Sequence, residues 1–475
     1  MNVMKMFSLF IITLLCLVSG SNSQTCEVSQ YLDVNKCVNY TSQVQKVSGE
    51  LGSDAMIDTG NTAWMLMASS MVMLMTPGLA FFYGGLSGQK AAINTMMMCI
   101  VSIAVVTVQW VLVGYSFAFY PNNSWFGNFG WAALRGVGVD PSGVYGVQIP
   151  HILYATFQNM FAQITPAIIS GAIVGRMKFS SYIIYIFLWS LLIYNPLAHW
   201  VWGLTLDDNW IIVPLGWIGK LPAIDFAGGT VIHISSGFSG LAAALILGKR
   251  LEKDNTHNLN MVVVGTAILY FSWFGFNAGS AGAANGIAAI AFFNTHLTAC
   301  VGMLTWMVIE SIFEKKQSIV GAASGIVAGL VAITPACGYV TPMASFAFGI
   351  VASIASYGAI KVKEYLEFDD TLDCFALHGV SGIVGSLMTG MFATQTINPG
   401  APNGAFYGNP MQLVWQIIDV VVAAGFSMIG TTVILLALKY TIGIRVEEKD
   451  EIIGIDSLHG ATNFKPVEPV PLQEV

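Results

Sequence analysis

Asp225-Phe-Ala-Gly-Gly-Thr-Val-Ile-His233-Ile-Ser-Ser-Gly-Phe-Ser-Gly240 places a histidine inside an apolar run, and Asp373-Cys-Phe-Ala-Leu-His378-Gly-Val-Ser-Gly-Ile-Val-Gly385 repeats the pattern. Aligned on the histidines, Ser236, Gly237 and Gly240 match Ser381, Gly382 and Gly385. A titratable ring in hydrocarbon costs free energy, so intramembrane histidines mark pathways or face partners. Two in corresponding places point to a duplicated transporter with its path between the repeats. A structural donor is the ordinary reading of a single such histidine; the match moves both toward a shared site.

The flanking sequence is membranous. The chain is 55% hydrophobic and 9% charged, against about 25% charged in a soluble domain; its mean hydropathy is +0.68. Apolar runs of spanning length, ~20 residues, recur near 61–85, 91–119, 150–175, 179–203, 226–248, 259–279, 285–313, 318–336, 340–362, 373–395 and 411–441. The expected fold is therefore an all-α polytopic membrane protein with eleven transmembrane helices. Five-helix repeats, spans one to five and six to ten, would be inverted relative to each other, with the eleventh span outside the repeat.

Residues 1–23, with Lys5, an apolar core from Phe7 to Val18 and small Ser21 and Ser23, read as a secretory signal peptide. An outer segment (24–60), the membrane domain (61–441) and a cytosolic tail (442–475) follow. With the N-terminus outside and the C-terminus inside, the inner segments receive Lys90, Arg176, Lys178, Lys249, Arg250, Lys253, Lys315, Lys316, Lys361, Lys363, Lys439, Arg445, Lys449 and Lys465. The outer segments receive only Lys36, Lys46, Arg135 and Lys220, as the positive-inside rule requires. The sequons at Asn39 and Asn122 both fall outside. So do Cys26 and Cys37, where a disulfide within one chain or between subunits can persist. By composition the tail reads as a solvated terminus.

Aromatic residues gather at the expected outer mouth: Phe157 and Phe161 one turn apart, Trp202, and Phe276 ahead of Ser280. An interfacial aromatic belt explains many such tryptophans. Ring faces also compensate a small cation that is losing water, and a serine hydroxyl accepts a bond from an N–H cation but not from potassium. Asp225 either binds that cation or caps the fifth helix, with the cap favoured; Asp373 reads as the same kind of cap, and Glu310 as snorkelling or pairing with a loop lysine. The cysteines, Asp and Glu near the histidines have no zinc-site spacing, so neither metal nor cofactor is expected. Hydrolase, zinc-protease and phosphate-loop motifs are lacking, so no enzyme is expected. The net charge of −7 says little about nucleic acid; the positive charges fall in the expected inner loops and no basic aromatic face is present, so none is expected as a partner.

Together with Phe82-Tyr-Gly-Gly85, Trp273-Phe-Gly-Phe276-Asn-Ala-Gly-Ser280, Thr334-Pro-Ala-Cys-Gly338 and Gly248-Lys-Arg250, these blocks resemble the Amt/MEP ammonium transporters, over about residues 61–460. The Asp-Phe-Ala-Gly-Gly block points to the Amt rather than the Rhesus branch. The resemblance implies a homotrimer in the bilayer with one pore per subunit. It implies ammonium recruitment by Phe161, Trp202 and Ser280, a gate of Phe161 and Phe276 beside Phe157, and a twin-histidine pore or proton relay at His233 and His378, with ammonia conducted with or without the proton. Ammonium, ammonia and methylammonium are the implied substrates. Gly443-x-Arg445 and Asp456 to His459-Gly460 resemble the family's regulatory tail. An ammonium sensor that barely transports is the alternative, and a pore for another neutral gas is a third. The plasma membrane is the expected location, with endosomal and vacuolar membranes on the same route.

Overall fold

A computed structural model describes residues 57–252 and 256–459. The signal peptide, the cysteines Cys26 and Cys37 and the Asn39 sequon lie outside these residues. Among the described residues, eleven helices fall on the eleven expected segments. They are α1 (Thr59–Leu86), α2 (Ala92–Phe119), α3 (His151–Ile169), α4 (Phe179–Trp202), α5 (Gly229–Leu247), α6 (Leu259–Gly279), α7 (Gly286–Phe313), α8 (Ile319–Ile333), α9 (Pro342–Leu366), α10 (Phe375–Phe392) and α11 (Met411–Thr441). Among the described residues, nine are long and apolar enough to cross a membrane. The other two are α8, with 15 residues, and α3, whose 19 residues include Gln158, Asn159 and Gln163.

Local chemistry sets where helices start. Asp58, Asn258, Asn285, Ser318 and Thr341 each accept a backbone N–H of the first turn of α1, α6, α7, α8 and α9, groups otherwise left without partners. Glu310 joins this set rather than a loop lysine: its carboxylate accepts the Ser318 N–H and hydroxyl, both at 2.8 Å. Small residues set how closely helices pack. Gly302 on α7 lies against the Gly325 carbonyl on α8, so the Gly321–Gly325 stripe is a packing surface. Outward faces carry Leu66, Phe271, Leu304, Ile354 and Val433, all exposed, as suits a protein whose solvent is hydrocarbon.

Four helices widen into π turns: Trp110–Gly114 in α2, Ser190–Tyr194 in α4, Gly229–Ile234 opening α5 and Phe375–Val380 opening α10. The last two contain His233 and His378. Hydrophobic periodicity carries no signal for a single wide turn. Beyond Trp202, Leu204–Leu206 pairs antiparallel with Ile212–Pro214, a small ribbon the helical reading did not anticipate.

Ion pairs collect at the opposite end of the bundle: Lys90 with Glu252, Lys249 with Glu367, Arg250 with Asp369, Lys363 with Asp373 and Arg445 with Glu451. The described part of the tail is docked there rather than solvated. Arg445 donates to the Leu247 and Lys249 carbonyls at 2.7 and 2.8 Å. A short helix α12 (Glu448–Ile453) then carries Asp456 to the start of α2, where it accepts the Ile93 and Asn94 N–H groups at 2.8 and 2.7 Å. Composition missed this because polar residues that cap someone else's helix look the same as solvated ones.

Candidate functional site

The two histidine helices meet through glycine. A Cβ on Gly237 of α5 would collide with the backbone of Gly379 on α10, and one on Gly382 with the Gly229 carbonyl and Ile234. This close crossing brings His233 and His378 together in the interior. Their Nδ1 atoms lie 3.2 Å apart, and their rings stack at 5.3 Å and 29°.

Each helix is fixed by an aspartate eight residues before its histidine. The Asp225 carboxylate accepts the N–H groups of Gly228, Gly229, Thr230 and Val231 and the Thr230 hydroxyl, at 2.6 to 3.3 Å. It is a cap, as its place before two glycines suggested, and those five bonds occupy most of its acceptor capacity. Ahead of His378 the cap is Asp370, not Asp373: Asp370 accepts the Cys374 and Phe375 N–H groups at 3.1 and 2.7 Å. Asp373, in a left-handed conformation with φ of 58°, turns away to pair with Lys363. The common spacing to the histidine was the available signal for Asp370.

From the pair, rings run in a line toward the Trp202 end. His233 stacks on Phe276 at 5.9 Å, Phe276 meets Phe161 at 4.4 Å, and Phe161 meets the edge of Trp202 at 6.4 Å. Phe157 flanks Phe161 at 4.8 Å. Ser280 lies one turn beyond Phe276 and donates to its carbonyl at 2.9 Å, leaving the hydroxyl oxygen to accept. Trp202 is held by its own Nε1, which donates to the Asp225 carbonyl at 2.9 Å. Phe161, Phe276 and both histidines are buried, while Trp202 and Ser280 are half-buried. Inside the phenylalanines is a cavity of about 10 Å³ lined by Leu79, Ile164, Ile168, Leu269, Val327, Trp273 and the two histidines. That is on the order of one water-sized guest. Among the described residues no group of His, Cys, Asp and Glu could hold a metal.

The chain as a whole is similar to known proteins. A family model described as Ammonium Transporter Family matches residues 63–464. The chain belongs to this family. An ammonium transporter of Aquifex aeolicus is 47% identical, over 86% of this chain and 94% of its own, and one of Bacillus subtilis is 45% identical over 86% and 98%. Among solved structures, Saccharomyces cerevisiae Mep2 superposes with a TM-score of 0.76 at 35% identity, covering 83% of this chain and 92% of that one. A structure titled Sensor Amt Protein gives 0.77 at 28% identity, over 85% and 98%.

Within this member of the ammonium transporter family, sequence reasoning assigned Trp273 no role. It stacks on His233 at 5.4 Å and 20°, and its Nε1 donates to Thr334 Oγ1 at 2.9 Å. The Thr334-Pro-Ala-Cys-Gly338 block thus anchors the ring that flanks the histidine. The family resemblance contained both residues; nothing in their spacing linked them.

Proposed function

We propose that the chain is an ammonium transporter that recruits ammonium at Trp202, Phe161 and Ser280, strips its proton at the phenylalanine gate and conducts ammonia past His233 and His378. The observation that carries this is the unbroken line of rings from Trp202 to the histidine pair, ending in a cavity sized for one small guest. Half-buried ring faces and a free hydroxyl acceptor suit an N–H cation. The apolar interior does not suit a bare charge, and passage as the neutral molecule avoids that cost. The cap on Asp225 supports a positioning role rather than direct cation binding.

The architecture belongs to this proposal: eleven spans in inverted repeats, N-terminus outside and C-terminus inside, assembled as a homotrimer. The two helices of lower hydropathy or length, α3 and α8, are buried for most of their residues. Neighbouring helices rather than lipid surround them, which supports counting them as spans. Entry by a signal peptide, glycosylation at Asn122, whose side chain is exposed, and residence in the plasma membrane complete the reading.

The second reading, an ammonium sensor, has the likeness to the Sensor Amt structure in its favour. Uptake of labelled methylammonium by cells lacking their own ammonium transporters separates the two. Saturable uptake blocked by ammonium and not by potassium supports transport. No uptake at confirmed surface expression would give the sensor first place.

A further inference from the structure

His199 stands in the last turn of α4, three residues before Trp202, and is fully buried. Both of its ring nitrogens face backbone carbonyls. Nδ1 lies 2.9 Å from the Ala118 oxygen, and Nε2 lies 2.7 Å from the Asn123 oxygen. Carbonyl oxygens only accept. A neutral imidazole has a single N–H, so it satisfies one contact and sets a nitrogen lone pair against an oxygen lone pair in the other. Only the imidazolium satisfies both.

The backbone around the ring also favours a cation. Ala118 belongs to the last turn of α2, and His199 itself to the last turn of α4. The negative ends of two helix dipoles converge there. The elements packed against this turn carry as titratable groups Tyr115, Tyr120, Tyr194, Lys220, Asp225, His233 and Asp419. None of them is hydrogen-bonded to the ring among the described residues. Lys220 donates instead to Ser124 Oγ at 2.8 Å. The proton balance of His199 is therefore set by burial against the two carbonyls and two helix ends.

We propose that His199 is a proton-dependent positioning residue for the Trp202 mouth, a role that rests on the reading of that mouth as the recruitment site. With two N–H groups it ties the end of α2 and the 120–126 segment to α4. With one, a tie turns repulsive and the segment loosens. Trp200 carries the effect along the same turn, since its Nε1 donates to the Trp125 carbonyl at 2.7 Å. Trp202 lies at the end of the turn that His199 holds.

The test is hydrogen–deuterium exchange of the purified full chain between about pH 8 and about pH 5, the range over which an imidazole changes charge. After correction for intrinsic exchange, amides of 120–126 gain protection on acidification, by up to about tenfold per pH unit as a one-proton linkage allows. His199→Gln, which keeps amide donors but cannot titrate, removes that dependence. Methylammonium uptake by the same variant shows a flatter pH profile of KM. A flat exchange profile in the wild type, or an unchanged one in His199→Gln, overturns the proposal. Titrating exchange without any uptake upholds the latch and rejects the transport reading instead.

Discussion

Nδ1 of His233 lies 3.2 Å from Nδ1 of His378. At that distance one nitrogen donates and the other accepts, so the two neutral rings hold opposite tautomers. The donor's Nε2 is then a bare acceptor, and the acceptor's Nε2 carries the proton. A guest in the cavity meets one acceptor and one donor, the complement of ammonia, which has both. Among the described residues, the buried Nε2 of His233 has no hydrogen-bond partner.

Because the rings share one hydrogen bond, removing either leaves the other unpartnered. His233→Ala and His378→Ala should each impair methylammonium uptake or weaken its selectivity against potassium. The double variant should be little worse than the poorer single one, with a coupling on the order of 1–3 kcal/mol. Uptake rates of the four proteins at matched surface expression measure this. Strictly additive losses would mean that the rings act independently.

The pairing depends on glycine. Gly237→Ala pushes α5 from α10 at Gly379, and overpacking of this kind costs about 1–3 kcal/mol. The purified variant should melt earlier, and uptake should fall with it. Gly358→Ala on α9 is the control, since an added Cβ there meets nothing within 4 Å. It should be neutral or slightly stabilising, by up to ~1 kcal/mol. Equal melting temperatures for the Gly237 variant and the wild type would contradict the close crossing.

Asp225 separates capping from cation binding. Asp225→Asn has one acceptor oxygen for the four N–H groups and the Thr230 hydroxyl now shared by two. A cap lost in part costs about 1–2 kcal/mol, so thermal stability and maximal uptake should decline together. A raised KM for methylammonium with unchanged melting would show instead that the carboxylate binds the substrate directly.

The helices were legible because lipid imposes long apolar runs, and charge asymmetry orders the loops between them. The paired histidines and their glycines were legible because the same spacing occurs twice in the chain. Asp370 has the same eight-residue offset as Asp225, yet Asp373 drew attention by standing at the start of the apolar run. The π turns around His233 and His378 leave no trace in periodicity: a wide turn shifts the phase of an apolar stripe, but these helices are buried on most sides and have no distinct stripe to shift. Trp273 and Thr334 are sixty-one residues apart, and only the packing of α6 on the end of α8 joins them. The docked tail was hidden for a different reason: its carboxylates and arginine serve backbone groups of α2 and α5, partners that side-chain identity does not announce.

Asp369 holds the basic end of the bundle together. Arg250 forks onto it, Nε to Oδ2 and Nη2 to Oδ1, both at 2.8 Å, and the buried Arg176 stands 4.0 Å away. Burial alone would raise the carboxyl's pKa; the bonds from Arg250 and the charge of Arg176 outweigh it and bring the value down to about 2. A folded value below the unfolded one means stability that is complete above the ordinary carboxyl range, about 3.9, and lost as pH falls through about 2. Discounted for partial screening by solvent, the shift corresponds to on the order of 1 kcal/mol. Asp369→Asn should therefore melt lower than the wild type by about that amount throughout the neutral range, with no pH dependence of the difference there. Below about pH 4 the difference should shrink, as the wild type loses what the variant never had. Melting curves of both proteins in detergent at several pH values decide it; a difference that grows on acidification would reverse the sign and place the protonated carboxyl, not the ion pair, in the folded state.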